Sequence, residues 1–81
     1  EYEVANVRRL QRLVDEGRLS ADDHVTPEVL ADLGVVRNAD RVKVLGDGAL
    51  SAALEVSAHA FSDSAREKIE EAGGAATVVD E

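Results

Sequence analysis

Eighty-one residues allow one small domain, because a chain of this length buries only about 60–65% of the surface its unfolded form exposes. No cysteine is present, which excludes disulfide frameworks, thiolate zinc sites and thiol nucleophiles; Tyr2 and Phe61 are the only aromatics, so Val, Leu, Ile and Ala must build the interior. Seventeen acids against nine bases give a net charge of −8, which argues against phosphate binding by the chain as a whole, since nucleic-acid affinity rests on Lys and Arg.

Tyr2-Glu3-Val4-Ala5 alternates and predicts a short opening strand. Asn6 then stands as an N-cap before Val7, Leu10, Leu13 and Val14, whose spacing predicts a helix that Gly17 stops. Arg18 to His24 is polar and reads as a surface loop. Thr26-Pro27-Glu28 combines a capping hydroxyl, Pro at the first helical position and a carboxylate in the first turn; Val29, Leu30 and Leu33 bury one face, and Gly34 ends the helix. Val42-Lys43-Val44-Leu45 predicts a strand running into Gly46-Asp47-Gly48, where glycine permits positive φ and a sharp reversal. Leu54, Val56, Ala58 and Ala60 alternate with Glu55, Ser57 and His59, the period of a strand with one buried face. Ser62 caps a helix whose stripe is Ala65, Ile69 and Ala72; Gly73-Gly74 ends it, and Thr77-Val78-Val79 predicts a last strand.

The predicted order is β-α-α-β-β-α-β, which makes the class α/β: a compact small domain of mixed sheet with packed helices. No repeat, low-complexity tract or linker interrupts residues 1–81, which read as a single globular domain. No apolar run approaches the roughly 20 residues a membrane span needs.

The residue types that could carry chemistry are weakly arranged. His59, Ser62, Asp63 and Ser64 include the members of a nucleophilic triad, but their crowding in sequence denies them the facing geometry that proton relay needs. His59 reads as a polar residue at a strand end, or as an RNA or protein contact. Asp22-Asp23-His24 has no further ligand nearby and reads as a solvated loop. Gly46-Asp47-Gly48 lacks the third glycine and the helix of a dinucleotide site. The expectation is a protein that is not an enzyme, with no catalytic residue, no metal and no cofactor.

Charge is more informative. Residues 1–45 hold seven of the nine bases, whereas residues 46–81 hold two bases against eight acids, so a polyanion-facing surface belongs in the first half. Arg8 and Arg9 sit in a first helical turn, where the macrodipole makes a cation cost about 0.3–1 kcal/mol, and Arg12 lies one turn on. These three are candidate phosphate contacts, the bland reading being a solvated face with an Arg12–Glu16 pair. Arg37, Arg41 and Lys43 form a second candidate cluster beside a loop that leads into a strand, where plain exposure is the bland reading. Seven of the nine bases are Arg, and with the acidic excess this is the balance a salt-rich cytoplasm favours. A chain so adapted should melt at higher temperature in molar KCl than at low salt, and no gain would refute the adaptation.

From residue 43 the chain resembles a known pattern. Lys43-Val44-Leu45-Gly46-Asp47-Gly48, Leu54-Glu55-Val56, Ala58-His59-Ala60-Phe61-Ser62-Asp63-Ser64-Ala65, Lys68-Ile69 and Ala72-Gly73-Gly74 are similar to the signature of the bacterial large-subunit ribosomal protein L-fifteen family. Val25-Thr26-Pro27-Glu28-Val29-Leu30 and Leu33-Gly34-Val35-Val36 resemble the same family upstream. The resemblance implies a superhelical α/β domain that acts as a structural constituent of the large ribosomal subunit, supporting rRNA packing and assembly in translation without catalysis. It implies a cytoplasmic, ribosomal location, with large-subunit ribosomal RNA and neighbouring ribosomal proteins as partners. The chain would then be the C-terminal domain of a longer protein, whose Gly-rich, very basic N-terminal extension is absent from these residues. On its own it would be monomeric and a weak RNA binder. Phe61, the only Phe, would anchor the core, so that Phe61→Ala costs about 3–5 kcal/mol. The alternative is a stand-alone protein-interaction domain reusing the same fold.

Overall fold

In the computed structural model, which describes residues 1–80, local chemistry sets most element boundaries. Helix α1 (Val7–Asp15) buries Val7, Leu10 and Leu13 on one face. It closes on Gly17 at φ 78°, with the Gly17 and Arg18 N–H groups donating to the carbonyls of Val14 (3.0 Å) and Leu13 (2.8 Å). The Thr26 hydroxyl accepts the Val29 N–H (3.1 Å) at the start of α2 (Pro27–Asp32). Ser62 accepts the Ala65 N–H (3.1 Å) at the start of α3 (Asp63–Glu71). Asn6 departs from expectation. It occupies the cap position of α1 without capping, and its Oδ1 accepts the Asp47 N–H (3.2 Å), while the Asp47 carbonyl accepts the Arg8 N–H (3.0 Å). Main chain from the glycine turn thus satisfies a donor at the helix start, so a capping side chain is not needed there.

Six strands complete the described fold: β1 (Glu3–Asn6), β2 (His24–Val25), β3 (Val42–Leu45), β4 (Glu55–Ala58), β5 (Ala60–Phe61) and β6 (Ala75–Val78). They form two three-stranded sheets, β1-β3-β5 and β2-β4-β6, and every pairing is parallel. The chain therefore alternates between the sheets strand by strand, winding as a coil in which each turn adds one strand to each sheet. This is the superhelical α/β arrangement that the resemblance implies, reached with parallel sheets in place of one mixed sheet. A coil that always advances in one sense brings each strand beside its predecessor in the same direction. Leu10, Leu13, Leu30, Leu54, Ile69, Val7, Val25, Val42, Val44 and Val56 fill the space between sheets and helices and are fully buried.

Two strands differ from the predicted pattern. β2 is only two residues long and follows a polar loop, so no alternation could betray it. The run predicted as one strand over residues 54–60 divides at His59 between β4 in one sheet and β5 in the other. His59 is the corner. Its N–H donates to the Val42 carbonyl, and its Nδ1 accepts the Val42 N–H, both at 2.9 Å, so the imidazole replaces a strand partner where the chain changes sheets. Ser57, predicted to point outward, is buried, its hydroxyl bonded to His24 Nε2 (2.9 Å).

Phe61 also requires correction. It is only half-buried at the end of β5, with the Arg66 guanidinium carbon 5.3 Å from the ring centroid, and it packs against the core from outside. A two-residue strand at a sheet edge does not enclose a large ring fully, and the fully buried side chains are all aliphatic. Lys68, which the sequence marks only through the family signature, donates from Nζ to the carbonyls of both Gly46 and Gly48 at 2.6 Å and ties α3 to the glycine turn.

Candidate nucleic-acid interface

β1 lies at the open edge of its sheet. The Glu3 N–H donates to the Arg41 carbonyl (2.7 Å), and Glu3 and Ala5 pair with Val42 and Val44, whose side chains are buried. By alternation, Val4 and Tyr2 face outward beside Lys43 and Arg41, and the ladder turns the N–H and C=O of Val4 away from β3. Val4 is 47% exposed and Tyr2 38% exposed.

Between β1 and α1 runs a cleft of about 290 Å³ lined by Val4, Ala5, Asn6, Arg8, Arg9, Arg12 and Val35. Arg12 is one turn from Arg8 and Arg9, which places the three bases on one face of α1. No acid lines this cleft, and none of the three side chains donates to a partner among the described residues. The Arg12–Glu16 pair is not formed. Gln11 instead bonds Asp15 (2.9 Å) and accepts the Ser51 N–H (2.8 Å), holding the helix against the loop between β3 and β4. Three unpaired guanidinium groups around one groove form a cationic surface suited to oxyanions, which the planar donor fork can meet bidentately.

The second cluster is not a cluster of free cations. Arg37 pairs with Glu3 at 3.2 Å, and its backbone N–H donates to the same carboxylate at 2.9 Å. First that N–H and then the guanidinium hold the Glu3 carboxyl below its ordinary pKa. Arg41 stacks on the Tyr2 ring, its guanidinium carbon 4.4 Å from the centroid. Lys43 is half-buried between Val4 and Ala60 in the register of its sheet. His59, with Nδ1 committed to Val42, shares one cleft with Arg41 that Glu28, Asp40 and Asp80 also line, away from the α1 arginines. Elsewhere, the Asp23 carboxylate accepts the Ser20 N–H (2.7 Å), and among the described residues no group of three His, Cys, Asp or Glu could hold a metal ion. Sequence reasoning misses Val4, Asn6 and Val35 as walls of the arginine cleft. The outward phase of Val4 is readable from the strand alternation, whereas nothing local marks Val35.

The family model that describes the ribosomal proteins 50S-L15 and 50S-L18e, together with their 60S counterpart, matches residues 4–77. This chain belongs to that family. It is similar to the large ribosomal subunit protein uL15 of Salinibacter ruber, with 69% identity over 81 residues, which is 100% of this chain and 52% of the relative. The proteins of the same name from Aquifex aeolicus and Mycobacteroides abscessus are 49% and 51% identical over 91% of the chain, covering 46% and 47% of those relatives. The chain spans about half the length of the curated relatives it matches. The family-like residues of the glycine turn, Gly46 and Gly48, and Lys68 with them, knit α3 to that turn and do not line the arginine cleft. No helix among the described residues is long and apolar enough to cross a membrane.

Proposed function

We propose that this chain is the C-terminal globular domain of a structural, non-catalytic constituent of the large ribosomal subunit in the bacterial cytoplasm. Its α1 cleft faces ribosomal RNA, and its acidic remainder faces solvent or basic neighbouring proteins. The observation that carries this reading is the acid-free groove holding Arg8, Arg9 and Arg12 without partners, on a chain of net charge −8. Left to helix stability alone, Arg8 and Arg9 at the helix start are unfavourable, whereas phosphate contacts would offset that cost; Arg12, in the last turn, carries no such cost. Contacts of this kind position a protein on RNA without reading sequence. A basic extension elsewhere in the full-length protein would supply most of the affinity, leaving the isolated domain a weak RNA binder. The exposed, outward-turned Val4 on an open strand edge favours the second reading, a protein-interaction domain, because such edges accept an added strand.

Replacing Arg8, Arg9 and Arg12 together by Gln in the full-length protein should lower its incorporation into large subunits while leaving the melting temperature of this domain unchanged. Undiminished incorporation, measured by co-sedimentation, would remove α1 from the RNA face.

A further inference from the structure

Three observations converge at the outer face of β1. The first is composition: only two of 81 side chains are aromatic, Phe61 packs against the core, and Tyr2 is spent at an exposed position where it adds little to the interior. The second is geometry. The bond from the Glu3 N–H to the Arg41 carbonyl extends the β1–β3 register by one, setting the Tyr2 ring against the Arg41 guanidinium at 4.4 Å with both groups exposed. Tyr2 and Val4 thus form an outward apolar track, with Arg41 and Lys43 along one side. On the other side lies the arginine cleft, which shares Val4 as a wall.

The third is the distribution of charge along that track. Around Tyr2 the bases are compensated, since Arg37 is paired with Glu3, and Glu1 and Asp40 adjoin Tyr2 and Arg41 in sequence. A phosphate gains little there. One turn into α1 the three arginines are uncompensated. A ligand matching both places carries a flat, uncharged, aromatic group with an anion about 7 Å along, two residues of a strand that rises about 3.3 Å per residue. An unpaired nucleotide has this form; a duplex, with its bases stacked inside, offers no free base face to stack on.

We infer that the Tyr2–Arg41 stack is a platform for an unpaired RNA base, whose neighbouring phosphate lies in the Arg8, Arg9 and Arg12 cleft. The inference rests on the RNA-facing reading of α1 and adds to it the class of RNA recognised, a single-stranded or bulged segment in place of a helix flank. Base stacking on an aromatic side chain tolerates any sequence, so the platform selects for strandedness and not for base identity.

Tyr2 is the only Tyr and the chain has no Trp, so tyrosine emission reports on this position alone. Titration with short single-stranded oligoadenylate should quench that emission saturably, while an RNA duplex of equal length and inorganic polyphosphate should bind without quenching. Tyr2→Ala should weaken oligoadenylate binding about five- to hundredfold, leave duplex and polyphosphate binding as they were, and be rescued by Tyr2→Phe. Equal quenching by the duplex, no saturable quenching by oligoadenylate, or a Tyr2→Ala variant that binds oligoadenylate undiminished would overturn the platform. Stronger quenching by a polyglutamate peptide than by oligoadenylate would overturn it in favour of a protein partner. The cleft is judged separately: loss of all three polyanions on replacing Arg8, Arg9 and Arg12 by Gln keeps the RNA-facing reading even where the platform fails. Unchanged binding in that triple variant removes the reading itself.

Discussion

Gly74→Ala is expected to cost at least about 3 kcal/mol and to leave much of the population unfolded, because the added methyl has no space that a side-chain movement could provide. A Cβ at this position would overlap the Leu54 carbonyl oxygen and lie 2.8 Å from the Leu54 nitrogen. Both are main-chain atoms of a fully buried residue whose carbonyl accepts the Ala75 N–H (3.1 Å) where β6 joins β4. Relief requires moving β6 away from β4 or displacing Leu54 from the core. Domains hold only about 0.05–0.15 kcal/mol of stability per residue, so a chain this short has little margin for either. Gly73 provides the control. Its φ is 92°, and a Cβ there would meet nothing closer than the Ala53 Cβ at 3.6 Å, so its constraint is conformational. Gly73→Ala should cost about 1–2 kcal/mol, and Gly73→Asn less, since Asn tolerates the left-handed region. Gly74→Asn should do no better than Gly74→Ala. Urea melts followed by far-ultraviolet circular dichroism would measure all four, and a Gly74→Ala variant as mild as Gly73→Asn would refute the close approach.

The contrast between these neighbouring glycines shows what the sequence makes legible. Gly17, Gly34 and Gly73 end helices at positive φ, a local requirement that leaves a local sign. The same reasoning reads Gly46 as a turn residue, yet it is not at positive φ. It is buried beneath the start of α3, where a Cβ would lie 2.8 Å from the Ala65 nitrogen. Close approach between residues distant in the chain has no signature at either one. The same division runs through the rest of the fold. Thr26, Ser62 and the apolar stripe of α1 act within a turn or two of helix and are readable. The His59 corner, the Lys68 clamp and the assignment of β4 and β5 to separate sheets depend on contacts across 17 or more residues, and are not.

At the candidate interface, Arg8 and Arg9 are legible for a physical reason, whereas Arg12 lies in the last turn of α1, where a cation suits the macrodipole. Cations at a helix start conflict with the macrodipole, and local conflicts of this kind tend to mark places where something besides folding chose the residue. Arg37 is a weaker candidate than its charge suggests, because its partner Glu3 lies 34 residues away, beyond the reach of any spacing rule. Arg41 stacks on Tyr2 across the same β1–β3 junction, and that pairing becomes visible only with the strand register.

Ile69→Ala should cost about 2–5 kcal/mol, more than Phe61→Ala, reversing the order that residue type alone suggests. Ile69 is fully buried on α3, and its carbonyl accepts the Gly74 N–H (3.0 Å) at the helix end. Truncation there loses the transfer energy of the removed methyl and methylene groups and opens a cavity walled by residues that cannot collapse into it, since both sheets hold their registers. Phe61 is only partly buried at the tip of a two-residue edge strand. Truncating it removes part of a buried surface and the Arg66 contact, which contributes about 0.5–1 kcal/mol where it is not desolvated. The space left behind opens to water instead of remaining as a void, so Phe61→Ala should cost about 1–2 kcal/mol, below the range for an enclosed aromatic. Denaturant melts of the two variants, compared at equal slope, decide the matter. A larger loss for Phe61→Ala than for Ile69→Ala would mean that the ring, and not the aliphatic layer between the sheets, anchors this core.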